Sequence, residues 1–264
     1  MKLIKKLLIL ILLVFLVGCT NSTPSDSATL PNLNGLSREQ IAAKLDSRGI
    51  KYQFMFYHME YYNNENFDLF VEYGGDLKAG NKVKKTQLVT VYTTALPLPT
   101  DLPTVSMDFD YIGKTLEQDG VERVTLARAI DGDTAHFYTQ SGKYIKVRFL
   151  GVDTPESTTS KEAWGKAASD FMRELLQNAQ TIVLQFEPNG NQVDAYERYL
   201  AYVWVDGVLA NLELVKNAYS TMKLSSRSPY FDAFYETEVL VSKTGRRVWG
   251  EIDSNYDYEN NRFK

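Results

Sequence analysis

The chain has 264 residues, 44% hydrophobic, 23% charged and 12% aromatic, with a formal net charge of −4. That is apolar material for one large domain or two small ones, and it excludes collagenous and globally disordered classes. One cysteine excludes an intrachain disulfide framework and a cysteine-based zinc site, and His58 and His136 leave little room for a multi-histidine centre.

Lys2, Lys5 and Lys6 precede an apolar run over residues 7–17, and no acid occurs before Cys19. The run is shorter than the roughly 20 apolar residues of a membrane-spanning helix, and its basic start predicts a secretory signal over residues 1–18. Leu16-Val17-Gly18-Cys19 resembles a bacterial lipobox, whose cysteine is lipidated and becomes the mature N-terminus. The alternatives are an uncleaved anchor or an ordinary signal with an incidental cysteine. The position of the sole cysteine favours lipidation at Cys19, and with it anchoring to the outer face of a bacterial membrane. Cleavage there removes three lysines and takes the formal charge from −4 to −7. A broad DNA-binding surface is not expected on such a protein. Residues 19–30, polar and nearly free of hydrophobes, are expected to form a flexible tether.

Residues 31–95 are predicted to form a small α/β module. Ser37 with Gln40 is a capping-box pattern, and Leu36, Ile41, Ala42 and Leu45 follow at helical spacing before Gly49. Strand patterns follow at 52–57, 67–73 and 88–93. The segments 31–37, 80–85 and 88–91, with Leu45 and Gly49-Ile50, are similar to a PASTA repeat. That resemblance implies a module facing the cell wall, with peptidoglycan as its partner; a spacer without a ligand is the alternative. The aromatic run over residues 52–62 is expected to serve mainly as core. Pro97, Pro99 and Pro103 mark residues 96–104 as a semi-rigid linker.

The pattern then turns to β, over a second domain at 105–252. Strands are predicted at 124–130, 135–139, 144–152, 181–186 and 200–205, and one helix carries Trp164, Ala168, Phe171, Leu175 and Ala179 on one face. A short helix at 211–217 is expected to be capped by Asn211. Another is expected to open at Ser228-Pro229 and to end at Gly245. Five short strands with interspersed helices suit an α+β fold built on a five-stranded OB-type β-barrel with three helices. Residues 253–264 are expected to be a poorly ordered tail.

Within this domain, Asp131 before Gly132 is read as a turn former, and His136 as a packing or surface residue. Arg148 is harder to explain structurally, because it interrupts the apolar run Val147, Phe149, Leu150 and Val152. Asp133, Asp153 and the Thr154 carbonyl are hard oxygen donors of the kind Ca²⁺ takes. Arg148 and Arg198 offer forked donors for a phosphate, and Glu156 is placed to activate or orient water. One geometric condition applies. Five extended residues would put Arg148 roughly 17 Å from Asp153, so the strand must bend, and Gly151 permits it.

Together these residues resemble the staphylococcal nuclease (thermonuclease) family over about residues 121–252, to the closing Val248-Trp249. The resemblance implies a Ca²⁺-dependent enzyme that cleaves DNA and RNA and leaves 3′-phosphates. It casts Asp133, Asp153 and Thr154 as calcium ligands, Arg148, Glu156 and Arg198 as catalytic residues, and Tyr196 as a substrate contact. Where the staphylococcal enzyme carries a phosphate-holding lysine, this chain has Ala195. Residues 121–251 hold 15 basic and 17 acidic side chains, a formal −2, which predicts modest nucleic-acid affinity. The alternatives are a barrel that binds single strands without cutting them, or a cell-wall adaptor working through residues 31–95.

Overall fold

A computed structural model describes residues 26–57, 67–252, 254, 256–260 and 262–263. Cys19, the expected signal segment and His58 lie outside the described residues. Among the described residues, no helix is long and apolar enough to cross a membrane.

The first elements are β1 (Ser27–Thr29), α1 (Arg38–Asp46), β2 (Lys51–Tyr57), β3 (Phe70–Tyr73), β4 (Lys82–Lys84) and β5 (Leu88–Thr94). Ser37 Oγ accepts from the Gln40 N–H while Gln40 Oε1 accepts from the Ser37 N–H, so the capping box closes as its spacing predicts. α1 thereby turns Ile41 and Leu45 into a core with Leu33, Tyr73, Val89 and Val91. β2 runs parallel to β5, and β3 antiparallel on its other side. Residues 27–29, expected within the tether, instead pair with β4, and the adjoining Leu30 is buried. Their polar side chains conceal a strand held by backbone bonds and one apolar anchor. Residues 96–104 contain no helix or strand.

The chain continues with α2 (Leu116–Asp119), β6 (Val121–Asp131), β7 (Thr134–Tyr138), β8 (Tyr144–Phe149), β9 (Gly151–Asp153), α3 (Gly165–Gln177), β10 (Ile182–Gln185) and β11 (Tyr199–Val205). It ends with β12 (Val208–Leu209), α4 (Ala210–Lys216), β13 (Thr221–Lys223), α5 (Phe231–Val241), β14 (Tyr256–Asp257) and β15 (Arg262–Phe263). β10-β6-β7-β8-β11 pair in that order, and β11 pairs back to β10, closing the five-stranded barrel. Alternation fills its interior with Ala135, Phe137, Ile145, Val147 and Phe149, while the intervening residues point outward. α3, with Ala168, Met172 and Leu176 on its buried stripe, packs on β6. The two parts of the chain have separate apolar cores.

Three local expectations are corrected. Asn211 is not the cap of α4, whose N-cap is Leu209. It is fully buried and ties strands together, accepting from the Val203 N–H and donating to the Leu150 carbonyl. Ser228 is not the cap of α5, which starts after Tyr230; its hydroxyl instead bonds Tyr202 Oη at 2.6 Å inside the core. The expected loose tail folds back as the β14–β15 hairpin, with Tyr256 buried and the Tyr258 ring 4.9 Å from that of Trp164.

Candidate active site

The turn from β6 to β7 delivers Asp133 into the barrel rim with only 2% of its surface exposed. A carboxylate so placed needs several partners, and it has them. Its Oδ1 accepts from Thr134 Oγ1 at 3.1 Å and ion-pairs with the Arg148 guanidinium. Its Oδ2 accepts from the Thr154 backbone N–H at 2.9 Å and from Thr154 Oγ1 at 3.0 Å. Gly132 allows this approach, since a Cβ there would sit 2.8 Å from Thr154 Oγ1.

The bend required between Arg148 and Asp153 is present. β8 ends at Phe149, Gly151 takes a left-handed φ of +76°, and β9 departs to pair with β13. The turn brings Arg148 Nη2 to 3.0 Å from Asp153 Oδ1. Asp153 is further fixed by its backbone N–H, which donates to Ser220 Oγ at 2.8 Å, and Lys223 Nζ lies 3.8 Å from its Oδ2. One guanidinium therefore bridges two carboxylates, one from the β6–β7 turn and one from β9.

Glu156 lies just beyond. Its Oε1 accepts from Thr158 Oγ1 at 2.5 Å and its N–H donates to Glu162 Oε2 at 2.9 Å. Its carboxylate also meets Asp131, read from sequence as a turn former only. Burial, and after it the hydrogen bond with Glu156, push the Asp131 carboxyl up to about 6 against the lowering effect of its bonds from Ser157 and the Gly132 N–H. The same bond, with help from Thr158, holds Glu156 below the usual carboxylate range. Ser157 donates to Asp131 through its hydroxyl at 2.8 Å. No local signal marks this role, because Asp-Gly is a turn pattern whatever its carboxyl touches 25 residues later.

Arg198 immediately precedes β11. The parallel register sets Leu200 opposite Arg148, and Arg198 comes two residues earlier in the chain. It is held by Asp194, whose Oδ2 takes both Nε and Nη2 at 2.7 Å. Burial raises the Asp194 carboxyl, but the Arg198 backbone and side chain and the Tyr196 N–H hold it below its ordinary range. Tyr196 is 79% exposed, with the Arg198 guanidinium 5.5 Å from its ring centre. The structure thus joins Asp133, Asp153, Thr154 and Arg148 directly, while Glu156, two residues beyond Thr154, is bonded to Asp131 and Thr158. Arg198 and Tyr196 flank the group without touching it.

Among the described residues, no three His, Cys, Asp or Glu side chains converge as a metal cage. The expected set is smaller, two carboxylates and one carbonyl. Asp133 and Asp153 already face a common cation in the Arg148 guanidinium, and every donor is oxygen. That chemistry fits a hard divalent ion completed by water, Ca²⁺ among them.

A profile described as Staphylococcal nuclease homologue matches residues 146–251, which take in Arg148, Asp153, Thr154, Glu156 and Arg198. A Thermonuclease of Staphylococcus hyicus is 30% identical over 168 residues, covering 62% of this chain and 96% of that protein. Endonuclease YncB of Bacillus subtilis is 35% identical over 133 residues, covering 48% of this chain and 62% of its own length. The SPbeta prophage-derived endonuclease YokF of Bacillus subtilis is 33% identical over 133 residues, covering 48% of this chain and 44% of its own length. The chain belongs to the staphylococcal nuclease family.

Proposed function

We propose that this protein is a Ca²⁺-dependent, sugar-nonspecific nuclease that hydrolyses DNA and RNA and leaves 3′-phosphates. The observation that carries the reading is the bridge of Arg148 between Asp133 and Asp153, with Thr154 tied to the same Asp133 carboxylate. Asp133, Asp153 and the Thr154 carbonyl would hold the ion. When bound, it supplies positive charge against a phosphoryl oxygen and lowers the pKa of coordinated water.

The chain's own residues do the rest. Arg148 presents its forked donors to the scissile phosphate, and Arg198, just ahead of β11, meets the same group. Both oppose the negative charge that grows as phosphorus becomes five-coordinate. Glu156, kept ionised by its bonds to Asp131 and Thr158, takes the proton of the attacking water. The water oxygen bonds to phosphorus, the P–O5′ bond breaks with its electron pair on the 5′ oxygen, and that oxygen takes a proton from solvent water. Plasmid digestion with Ca²⁺, repeated in excess chelator and followed by phosphatase labelling of the ends, tests this. Products with 3′-phosphates formed only with Ca²⁺ support it; cutting undiminished by chelator overturns it.

Placement is read from sequence. Cys19 carries the lipid that holds the protein on the outer face of the membrane, supported by the lipobox-like Leu16-Val17-Gly18-Cys19. Residues 31–95 face peptidoglycan, supported by their similarity to PASTA repeats. Labelled palmitate entering the wild type but not Cys19→Ala supports the anchor, and no label in the wild type refutes it. Sedimentation of the protein with insoluble peptidoglycan tests the wall contact.

A further inference from the structure

The outward residues of β7 and β8 form a ladder that begins at the candidate site. Thr134 faces Arg148, His136 faces Lys146, and Tyr138 faces Tyr144, while the inward residues between them are fully buried. The two tyrosines are 46% and 48% exposed, large rings left on a barrel face where alternation calls for polar side chains. They meet edge to face, with ring centres 5.5 Å apart. Tyr144 is also fixed by its hydroxyl on His136 Nδ1 and by ring contact with the same histidine at 5.3 Å.

Cations surround this row. Arg128 on β6 is opposite His136 on one side and Lys146 on the other. Neither cation is in an ion pair among the described residues, and the charges that bear on His136 are those two alone, holding its pKa below the ordinary value after burial. A protein with formal charge −4 therefore carries, beside its candidate phosphate-binding arginine, a positive strip with rigid aromatic faces. Arg148 and Tyr144 are four strand residues apart, about 13 Å, or roughly four stacked bases at about 3.4 Å each.

We propose that this face is a binding track for single-stranded nucleic acid, on which the strand leaving the scissile phosphate at Arg148 passes Lys146 and Arg128 and stacks its bases on Tyr144 and Tyr138. The inference rests on the nuclease reading for its starting point. The occupant follows from complementarity: backbone phosphates match the two unpaired cations, and bases match exposed ring faces without regard to sequence. Duplex DNA keeps its bases stacked internally and offers none to the rings. The track also accounts for how a chain with Ala195 in the nucleotide-side loop holds its substrate.

Fluorescence anisotropy of the full chain in chelator, with labelled dT10 and rU10, reads the track without cleavage. A Tyr138→Ala/Tyr144→Ala double variant is expected to weaken binding by at least about 10-fold while remaining folded by circular dichroism. Tyr144→Phe keeps the ring and is expected to bind like wild type. Lys146→Gln is expected to lower the slope of log affinity against log salt by about 0.7. With Ca²⁺, the double variant should raise KM for a ten-mer and leave KM for a dinucleotide unchanged. The sugar for which the loss appears identifies the strand the track serves. Unchanged affinity of the folded double variant for both ten-mers overturns the proposal. So does an equal loss with a hairpin duplex, or with the dinucleotide. If the wild type cuts nothing, the nuclease reading fails and the anisotropy result still decides the track.

Discussion

Arg148 and Asp153 are five residues apart in one strand pattern, yet the guanidinium of the first lies 3.0 Å from the carboxylate of the second. An unbroken strand would hold them roughly 17 Å apart. The difference is made at Gly151, whose φ of +76° ends β8 and sends the chain into β9. A Cβ there would also lie 2.5 Å from Leu224 Cγ.

Gly151→Ala should therefore destabilise by about 2–4 kcal/mol, combining a left-handed backbone with overpacking against Leu224. It should also weaken catalysis in the fraction that stays folded, because Asp153 is displaced from Arg148. Urea unfolding with activity normalised to folded protein checks both. A variant as stable and active as wild type contradicts the bend's role.

Asp131 makes stability depend on pH in metal-free protein. Its folded pKa of about 6 lies above the unfolded value near 3.9. The folded state thus binds the extra proton, and the resulting stability is complete below about pH 4 and lost as pH rises through about 6. Asp131→Asn keeps a donor for Glu156 at every pH. It should flatten this dependence and be about 1–2 kcal/mol more stable than wild type at pH 7. Urea midpoints in chelator between pH 4 and 8 measure it; parallel curves for the two proteins would refute the assignment.

Much of this site was legible in the sequence, and the reason is physical. Arg148 drew notice because an arginine in an apolar strand needs a partner, and the Ser37–Gln40 box because capping bonds span three residues. Asn211 and Ser228 sit in locally adequate cap patterns that the structure does not use, and Asp131 forms its turn but has a second partner that no local pattern marks. The partners Glu156, Leu150 and Tyr202 are 25 or more residues away in sequence. The tail hairpin was hidden likewise, since its anchor is Trp164, some 90 residues earlier.

Arg148→Lys and Arg198→Lys separate a phosphate grip from simple charge pairing. Lysine retains the charge but loses the planar fork, so each variant should stay folded and lose at least about 10²-fold in kcat. Ca²⁺ affinity should barely change, since neither residue offers an acceptor. Arg148 is also the partner of buried Asp133, so its variant should lose stability where Arg198→Lys does not. Near-normal turnover in both folded variants would overturn the phosphate grip and leave the two arginines as charge partners.

The separate apolar cores predict that residues 105–264 fold and cut without the first part of the chain. One hydrogen bond lost with the first part runs from the Leu96 N–H to the Thr244 carbonyl. Turnover of the purified fragment should match that of the full chain. A folded but inactive fragment would mean that residues 31–95 contribute to the site.

The most direct test is a Ca²⁺ titration of hydrolysis by wild type and Asp153→Asn on one oligonucleotide. The wild type should follow single-site saturation and fall to background in excess chelator. Asp153→Asn, which replaces one of the two anionic ligands by a neutral one, should need at least about ten times more Ca²⁺ for half-maximal rate. Coincident titration curves for the two proteins, or hydrolysis that persists in chelator, would contradict the assignment of the Asp133–Asp153 pair as the ion's seat.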